Sequence, residues 1–212
     1  MNRRKGYTSR KQSDNSHYSA KVALRERYAD KVGAELCLDL FCGTGTFTDA
    51  VWAKRFARVV CVDKSQKQLE QLPDLPNVTA YMGDNAKLLA GLLVKYGAPD
   101  LVDLDAYGSP DTLAKELIQT RVMHKPFAII GTDGNMKARQ RGGTSAVPKC
   151  WGFGGGLSYA PFGAAMDAVP VRTFTLLREW GTSVGKAISE FDAYVCDKMV
   201  YWAALVTPED VT

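Results

Sequence analysis

The chain has 212 residues, of which 46% are hydrophobic and 24% are charged, and its formal net charge is +4. This length fits one ordinary globular domain, and no apolar run is long enough to predict a membrane span. The five cysteines are scattered and include no CxxC pair, which argues against a disulfide framework or a metal site. We therefore expect reduced thiols, no secretory signal and a cytoplasmic location.

Residues 18–31 predict a helix, and strands then alternate with helices. The predicted strands lie at 34–40, 58–63, 78–83, 101–105 and 125–132. The predicted helices lie at 46–56, from Ser65 onward, at 86–96 and at about 110–120. This alternation predicts an α/β fold with a mostly parallel sheet that is covered by helices on both faces.

The alternation stops after the fifth strand. Residues 138–170 are rich in glycine, proline and aromatic residues, which predicts one long irregular loop. A helix is expected at about 171–188. Residues 192–206 then predict two strands hinged near 197–198, an antiparallel hairpin that closes the sheet. Two regions result: a basic extension with a helix, 1–31, and one domain, 32–212.

Positive charge is concentrated in two segments. Residues 1–31 hold nine Lys or Arg against three acidic residues, and 137–149 hold four basic residues and no acidic one. Clustered positive charge favours an anionic partner such as nucleic acid, although a solvated surface is an equally good explanation of either cluster alone.

A glycine-containing segment, DLFCGTGTFT at 39–48, follows the first predicted strand. Ligands of open parallel sheets bind beyond the carboxyl ends of the strands, and two glycines let the backbone turn close to a ligand. An acid at the end of the second strand suits ribose hydroxyls, and polar residues after the third strand could contact an adenine. The candidate nucleotide-binding residues are Asp39, Phe41, Gly43, Thr44, Gly45, Asp63, Asp84 and Asn85.

The kind of nucleotide follows from charge. Thr48 replaces the third glycine of a dinucleotide-binding loop, and no P-loop is present. Five carboxylates end the strands: Asp39, Asp63, Asp84, Asp103 and Asp105. They would repel a pyrophosphate but suit the sulfonium and ammonium groups of S-adenosyl-L-methionine, which we therefore predict as the cofactor.

DLFCGTGTFT followed by VVCVD resembles motif I and the second-strand acid of class I S-adenosylmethionine-dependent methyltransferases. The resemblance implies a Rossmann-like fold with a seven-stranded sheet whose last strand is antiparallel. It also implies that 32–212 is a methyltransferase domain, with 138–170 as a loop on the substrate side.

A second motif, DLDAYGSP at 103–110, resembles the DLDPYGSP of the tRNA guanine-N2 dimethyltransferases, and IIGTDGNMKARQRGG at 129–143 resembles their fifth-strand segment. In this interpretation Asp105 accepts the N–H bonds of a base amine and Tyr107 stacks on the base. Ala106 stands where the family has proline. The remaining candidate substrate-binding residues are Ala106, Gly108, Arg139, Arg141, Trp151 and Phe153, which mix small, basic and aromatic side chains.

The sequence thus predicts an enzyme that methylates an exocyclic amine in nucleic acid, most simply guanine N2 of tRNA. RNA is favoured over DNA, and neither a membrane nor a metal is expected as a partner. Methylation of adenine N6 or guanine N2 in DNA or ribosomal RNA, and a non-catalytic nucleic-acid-binding module, remain alternatives.

Overall fold

A computed structural model describes residues 17–106, 108–134, 162–196 and 199–209, with the backbone alone for 162–167. Its strands are β1 (Leu36–Asp39), β2 (Arg58–Asp63), β3 (Val78–Met82), β4 (Leu101–Leu104), β5 (Phe127–Asp133), β6 (Lys186–Cys196) and β7 (Met199–Pro208). Its helices are α1 (Tyr18–Ala29), a π-helical turn (Thr48–Trp52) that continues into α2 (Ala53–Arg55), α3 (Gln66–Leu69), α4 (Asn85–Tyr96), α5 (Asp111–Gln119) and α6 (Phe162–Thr182).

All seven strands form one sheet in the order β3-β2-β1-β4-β5-β7-β6. β1 to β5 pair in parallel, whereas β7 runs antiparallel to both of its neighbours. The expected α/β fold with a seven-stranded sheet and an antiparallel last strand is confirmed.

The sheet is buried on both faces because each central strand is apolar on both sides. β1, β4 and β5 are buried along their whole length. One face packs against α4, α5 and α6 through leucine-rich surfaces. The other face packs against α1 and the π-helical turn, where Leu24, Tyr28, Val51 and Trp52 enter the core. This second layer brings α1 close to the end of β4.

The predicted loop and the helix after it are partly wrong. α6 begins at Phe162, inside the predicted loop, and contains Pro170; β6 begins at Lys186, within the predicted helix. An interior proline normally breaks a helix, so the sequence pattern suggested a later start. The rest of the loop, 138–161, lies outside the described residues.

β6 starts at a charged residue, Lys186, whose contacts explain its position. Its side chain is buried, and Nζ donates to the carbonyls of Ile118, at 2.6 Å, and Thr120, at 2.9 Å, at the end of α5.

Across the described ranges, no helix is long and apolar enough to cross a membrane.

Candidate active site

A cleft of about 700 Å³ opens at the carboxyl ends of the parallel strands. This volume is typical of small-molecule sites. Ten residues that the sequence predicted lie in its wall: Asp39, Phe41, Gly43, Thr44, Asp63, Asp84, Asn85, Asp105, Ala106 and Gly108. The structure therefore brings the nucleotide-binding candidates and the end of β4 to one cavity.

Six predicted site residues remain, of which the structure describes Gly45. Tyr107, Arg139, Arg141, Trp151 and Phe153 lie outside the described residues. Gly45 is described but is not among the lining residues. Its φ is +80°, and a Cβ there would lie 2.3 Å from Cδ1 of Leu72, so this position requires glycine to shape the loop.

Asp63 holds the glycine loop from the end of β2. Its Oδ2 accepts a hydrogen bond from the Gly43 N–H at 3.1 Å, and its Oδ1 accepts one from the Ser65 N–H at 2.8 Å. Gly43 has a φ of +55°. Because each carboxylate oxygen has two acceptor directions, Asp63 can shape the loop and still accept hydrogen bonds from a ribose.

Asp39 is buried at the end of β1, although it touches the cleft. It is 2% exposed, and its Oδ2 accepts a hydrogen bond from the Thr48 hydroxyl at 2.7 Å. Burial raises the pKa of the Asp39 carboxyl well above its usual value, because the charged form is poorly solvated there. Thr48, noted in the sequence as a departure from a third glycine, thus supports this carboxyl.

The end of β3 supplies a polar pair. Asp84 caps α4 by accepting a hydrogen bond from the Lys87 N–H at 3.3 Å. The neighbouring Asn85 has a buried Oδ1 without a hydrogen-bond partner among the described residues. A buried acceptor left without a donor is costly, so this oxygen is suited to a donor from a bound ligand.

Asp103 does not face the cleft, although the sequence suggested it as one of five carboxylates at the strand ends. It is completely buried beneath the cleft and is not among the lining residues. Arg25 of α1 binds both of its oxygens, with Nε 2.7 Å from Oδ2 and Nη2 3.1 Å from Oδ1. The Trp52 Nε1–H also donates to Oδ2, at 3.2 Å. Asp103 is therefore a partner of Arg25 and not a cofactor-facing carboxylate.

Asp105 lies two residues further along and reaches the cleft. Its side chain is 19% exposed, and its Oδ2 lies 3.3 Å from Nη2 of Arg25 and 3.8 Å from Nζ of Lys21. Lys21 and Arg25 were not among the predicted site residues. The available signal was their spacing, because Lys21, Leu24, Arg25 and Tyr28 recur on one buried face of α1.

The positive charge of α1 is used within the chain. The basic residues of 18–31 all form ion pairs: Lys21 and Arg25 with Asp105, Arg27 with Asp192, and Lys31 with Glu190. The expectation that 1–31 attracts an anionic partner stays a prediction, and in the described part its cations lie beside carboxylates of the same chain.

An aromatic wall, Phe47 and Tyr201, was also missed. Both rings line the cleft together with Met199. The Arg25 guanidinium carbon lies 3.7 Å from the Phe47 ring centroid, and the Lys21 ammonium lies 4.8 Å from that of Tyr201. The wall therefore combines two flat apolar surfaces with the cations that contact Asp105.

The sequence matches the model of FtsJ-like methyltransferases over residues 20–137, which is more than half of the chain. The chain belongs to the FtsJ-like methyltransferase family. A comparison with curated proteins finds no match.

Solved structures share the fold of this methyltransferase. Trm1 from Pyrococcus horikoshii, in complex with S-adenosyl-L-methionine, superposes with a TM-score of 0.65 at 13% identity; the match covers 90% of this chain and 54% of Trm1. The N-methyltransferase NodS from Bradyrhizobium japonicum gives 0.57 at 11% identity, covering 93% and 99%. A candidate RNA methyltransferase from Pyrococcus horikoshii gives 0.53 at 12% identity, covering 90% and 85%.

The protein is an S-adenosylmethionine-dependent methyltransferase, and the cleft fits that cofactor. The cleft is lined by carboxylates, which suit the sulfonium and ammonium groups of S-adenosylmethionine. In addition, the buried Oδ1 of Asn85 has no hydrogen-bond partner within the described part of the chain. Gly43, whose φ is positive, lines the cleft, so the backbone of the glycine loop lies at the cavity. Among the described residues no cluster of potential metal ligands is present.

Proposed function

We infer that this FtsJ-like methyltransferase modifies an exocyclic amine of a nucleic-acid base, with guanine N2 of tRNA as the favoured target. The observation that carries the inference is Asp105, a partly exposed carboxylate in the same cleft as the cofactor-binding residues. Its neighbours Ala106 and Gly108 also line the cleft and leave space beside it.

The chemistry explains why a carboxylate is needed there. The lone pair of an aryl amine is delocalised into its ring, so the nitrogen is a weak nucleophile. A carboxylate that accepts an N–H bond orients the amine and makes its lone pair more available. S-adenosylmethionine, when bound, supplies the electrophilic methyl group. Asp105 acts on the acceptor side of the transfer.

We assign stacking on the base to Tyr107 and not to the aromatic wall, because Phe47 already packs between Tyr18 and Arg25 and Tyr201 is 3% exposed. Phe47 and Tyr201 line the cleft near the two cations that contact Asp105. Aromatic side chains stack on bases that have left a helix or lie in single strands. Tyr107 remains a predicted stacking residue of the same site. The preference for guanine in tRNA rests on the resemblance of the DLDAYGSP motif.

A second candidate is methylation of a hydroxyl, such as a ribose hydroxyl of RNA. It is favoured by Lys21, a residue that is 8% exposed and lines the cleft, with its ammonium 3.8 Å from Oδ2 of Asp105. A lysine and a carboxylate placed together can orient a hydroxyl and accept its proton. An amine target requires the carboxylate, whereas a hydroxyl target also requires the lysine.

The two candidates are separated by identifying the methylated atom. The protein is incubated with trideuteromethyl-labelled cofactor and with tRNA, ribosomal RNA or DNA, and the digested nucleosides are analysed by mass spectrometry. We expect the label on the base of guanosine from tRNA, its loss in Asp105→Ala and its retention in Lys21→Met. Asp74→Asn, at an exposed carboxylate, is the control. Label on ribose that disappears in Lys21→Met would establish the second candidate and contradict the first.

A further inference from the structure

We propose that Arg25 is a positioning residue for methyl transfer, which acts by fixing the orientation of Asp105. This proposal rests on the function proposed above. Arg25 lies in α1, 80 residues before Asp105 in the chain, and it is 1% exposed.

The guanidinium is held on every side. Its Nε and Nη2 bind Asp103, its Nη1 lies 3.3 Å from the Lys21 carbonyl oxygen, and its plane packs over the Phe47 ring. A guanidinium fixed by these contacts keeps its positive charge at one place, and its planar, donor-rich shape suits several fixed partners better than a lysine ammonium does. A fourth contact of Arg25, to Oδ2 of Asp105, joins it to the proposed acceptor carboxylate of the cleft.

A chain of polar contacts runs from the buried core to the cleft. Trp52 and Arg25 donate to Asp103, and Arg25 then contacts Asp105. Asp103 itself is completely buried and does not line the cleft. A buried ion pair is weak evidence for stability, because well-packed apolar residues of similar volume often serve equally well. A role at the cleft accounts for a charged network in this core.

The two carboxylate oxygens of Asp105 are assigned different roles. Arg25 and Lys21 both contact Oδ2. The shortest contact of each cation with Asp105 is made to this oxygen. With Oδ2 held in place, Oδ1 is the oxygen that accepts the N–H of the substrate amine. Methyl transfer is sensitive to this angle, because a misplacement of about 1 Å can cost roughly 100-fold in rate.

The test must separate this role from simple support of Asp103. Arg25→Met alone leaves a buried carboxylate unpaired, so a lower melting temperature and a lower kcat are both expected. The double variant Arg25→Met/Asp103→Asn removes both charges together, and Asp103→Asn keeps an acceptor for Trp52. We expect the double variant to recover most of the melting temperature while its kcat stays roughly 100-fold below the parent. Its KM for RNA and its Kd for S-adenosylmethionine should stay within about threefold.

Arg27→Met is the matched control, because Arg27 lies on the same helix, is exposed and pairs with Asp192 away from the cleft. Its kcat should equal that of the parent. Recovery of kcat together with the melting temperature in the double variant would overturn the proposal, since Arg25 would then act solely as the partner of Asp103.

A crystal structure of the double variant gives a readout that does not depend on turnover. We expect the Asp105 carboxylate to change its rotamer or to become disordered relative to the parent. An unchanged, ordered carboxylate would overturn the proposal. A parent protein that methylates no base amine would contradict the proposed function, and the crystallographic comparison would still decide whether Arg25 positions Asp105.

Discussion

Single carboxylates in the cleft have different tasks, and Asp63 shows how one residue combines two of them. It accepts backbone hydrogen bonds at both oxygens and still faces the cavity. Asp63→Asn replaces one acceptor by an NH₂ group that opposes a backbone N–H. Because hydrogen bonds to charged groups contribute about 1.5–3 kcal/mol, we expect the Kd for S-adenosylmethionine to rise about 10- to 100-fold.

Isothermal titration calorimetry measures this effect, with Asp74→Asn as a control at an exposed carboxylate outside the cleft. A Kd for Asp63→Asn within threefold of the parent would show that Asp63 does not organise the cofactor site.

Asp39 makes stability depend on pH. Burial raises its pKa in the folded state above the unfolded value of about 3.9, so the folded state keeps a proton that the unfolded state has lost. The free energy of unfolding therefore falls as pH rises above this value. Asp39→Asn removes the titration, so its stability relative to the parent should increase from acidic to neutral pH. Urea unfolding of both proteins across that range measures the difference, and a constant difference would contradict the assignment.

Much of the site could be predicted from residues because the motifs lie at strand ends. Asp39, Gly43, Asp63 and Asp105 line one cleft, since parallel strands bring their carboxyl ends together, and their roles there stay predictions. The spacing of α1 could have placed Arg25 on a buried helix face, but its partner Asp103 is 78 residues away, and a local pattern does not reveal such a pair. A basic residue on a helix is normally taken for a solvated one.

At the scale of elements, the alternation of strands and helices sufficed for the sheet but not for the second half of the chain. The five predicted parallel strands all exist, and the two strands predicted after them pair antiparallel as β6 and β7. α6 was placed too late because Pro170 lies inside it. Its neighbours and the sheet hold a helix through this residue, which is a tertiary effect that sequence propensity does not contain.

The contact between β5 and β7 depends on one small residue. Gly131 of β5 lies opposite Trp202 of β7, and a Cβ at Gly131 would lie 2.3 Å from the indole ring. Gly131→Ala should therefore lower the free energy of unfolding by about 1–3 kcal/mol, as overpacking of cores does. Chemical denaturation measures the change.

Gly91 provides the control for that substitution. It lies in α4, and a Cβ there would meet no atom within 4 Å. Gly91→Ala should raise the stability by about 0.5–1 kcal/mol, because alanine is the better helix former. Equal effects of both substitutions would contradict the packing described for Trp202.

At the scale of the whole molecule, the sheet divides the work of the cleft. The ends of β1, β2 and β3 carry the cofactor-binding candidates, and the end of β4 carries Asp105 on the acceptor side. α1 contributes to the acceptor side of the cleft, because Arg25 contacts Asp103 and Asp105. The charge of the whole chain did not predict this arrangement, because a net charge does not distinguish paired from unpaired cations.

The most direct test of this division is a single-turnover measurement with saturating S-adenosylmethionine and tRNA, made on the parent and on Asp105→Asn, with the Kd of the cofactor determined on the same samples. We expect Asp105→Asn to lower the methyl-transfer rate by roughly 100-fold while the Kd changes by less than about threefold. A parental rate in Asp105→Asn, or a loss of cofactor binding equal to the loss of rate, would contradict the assignment of Asp105 to the acceptor side.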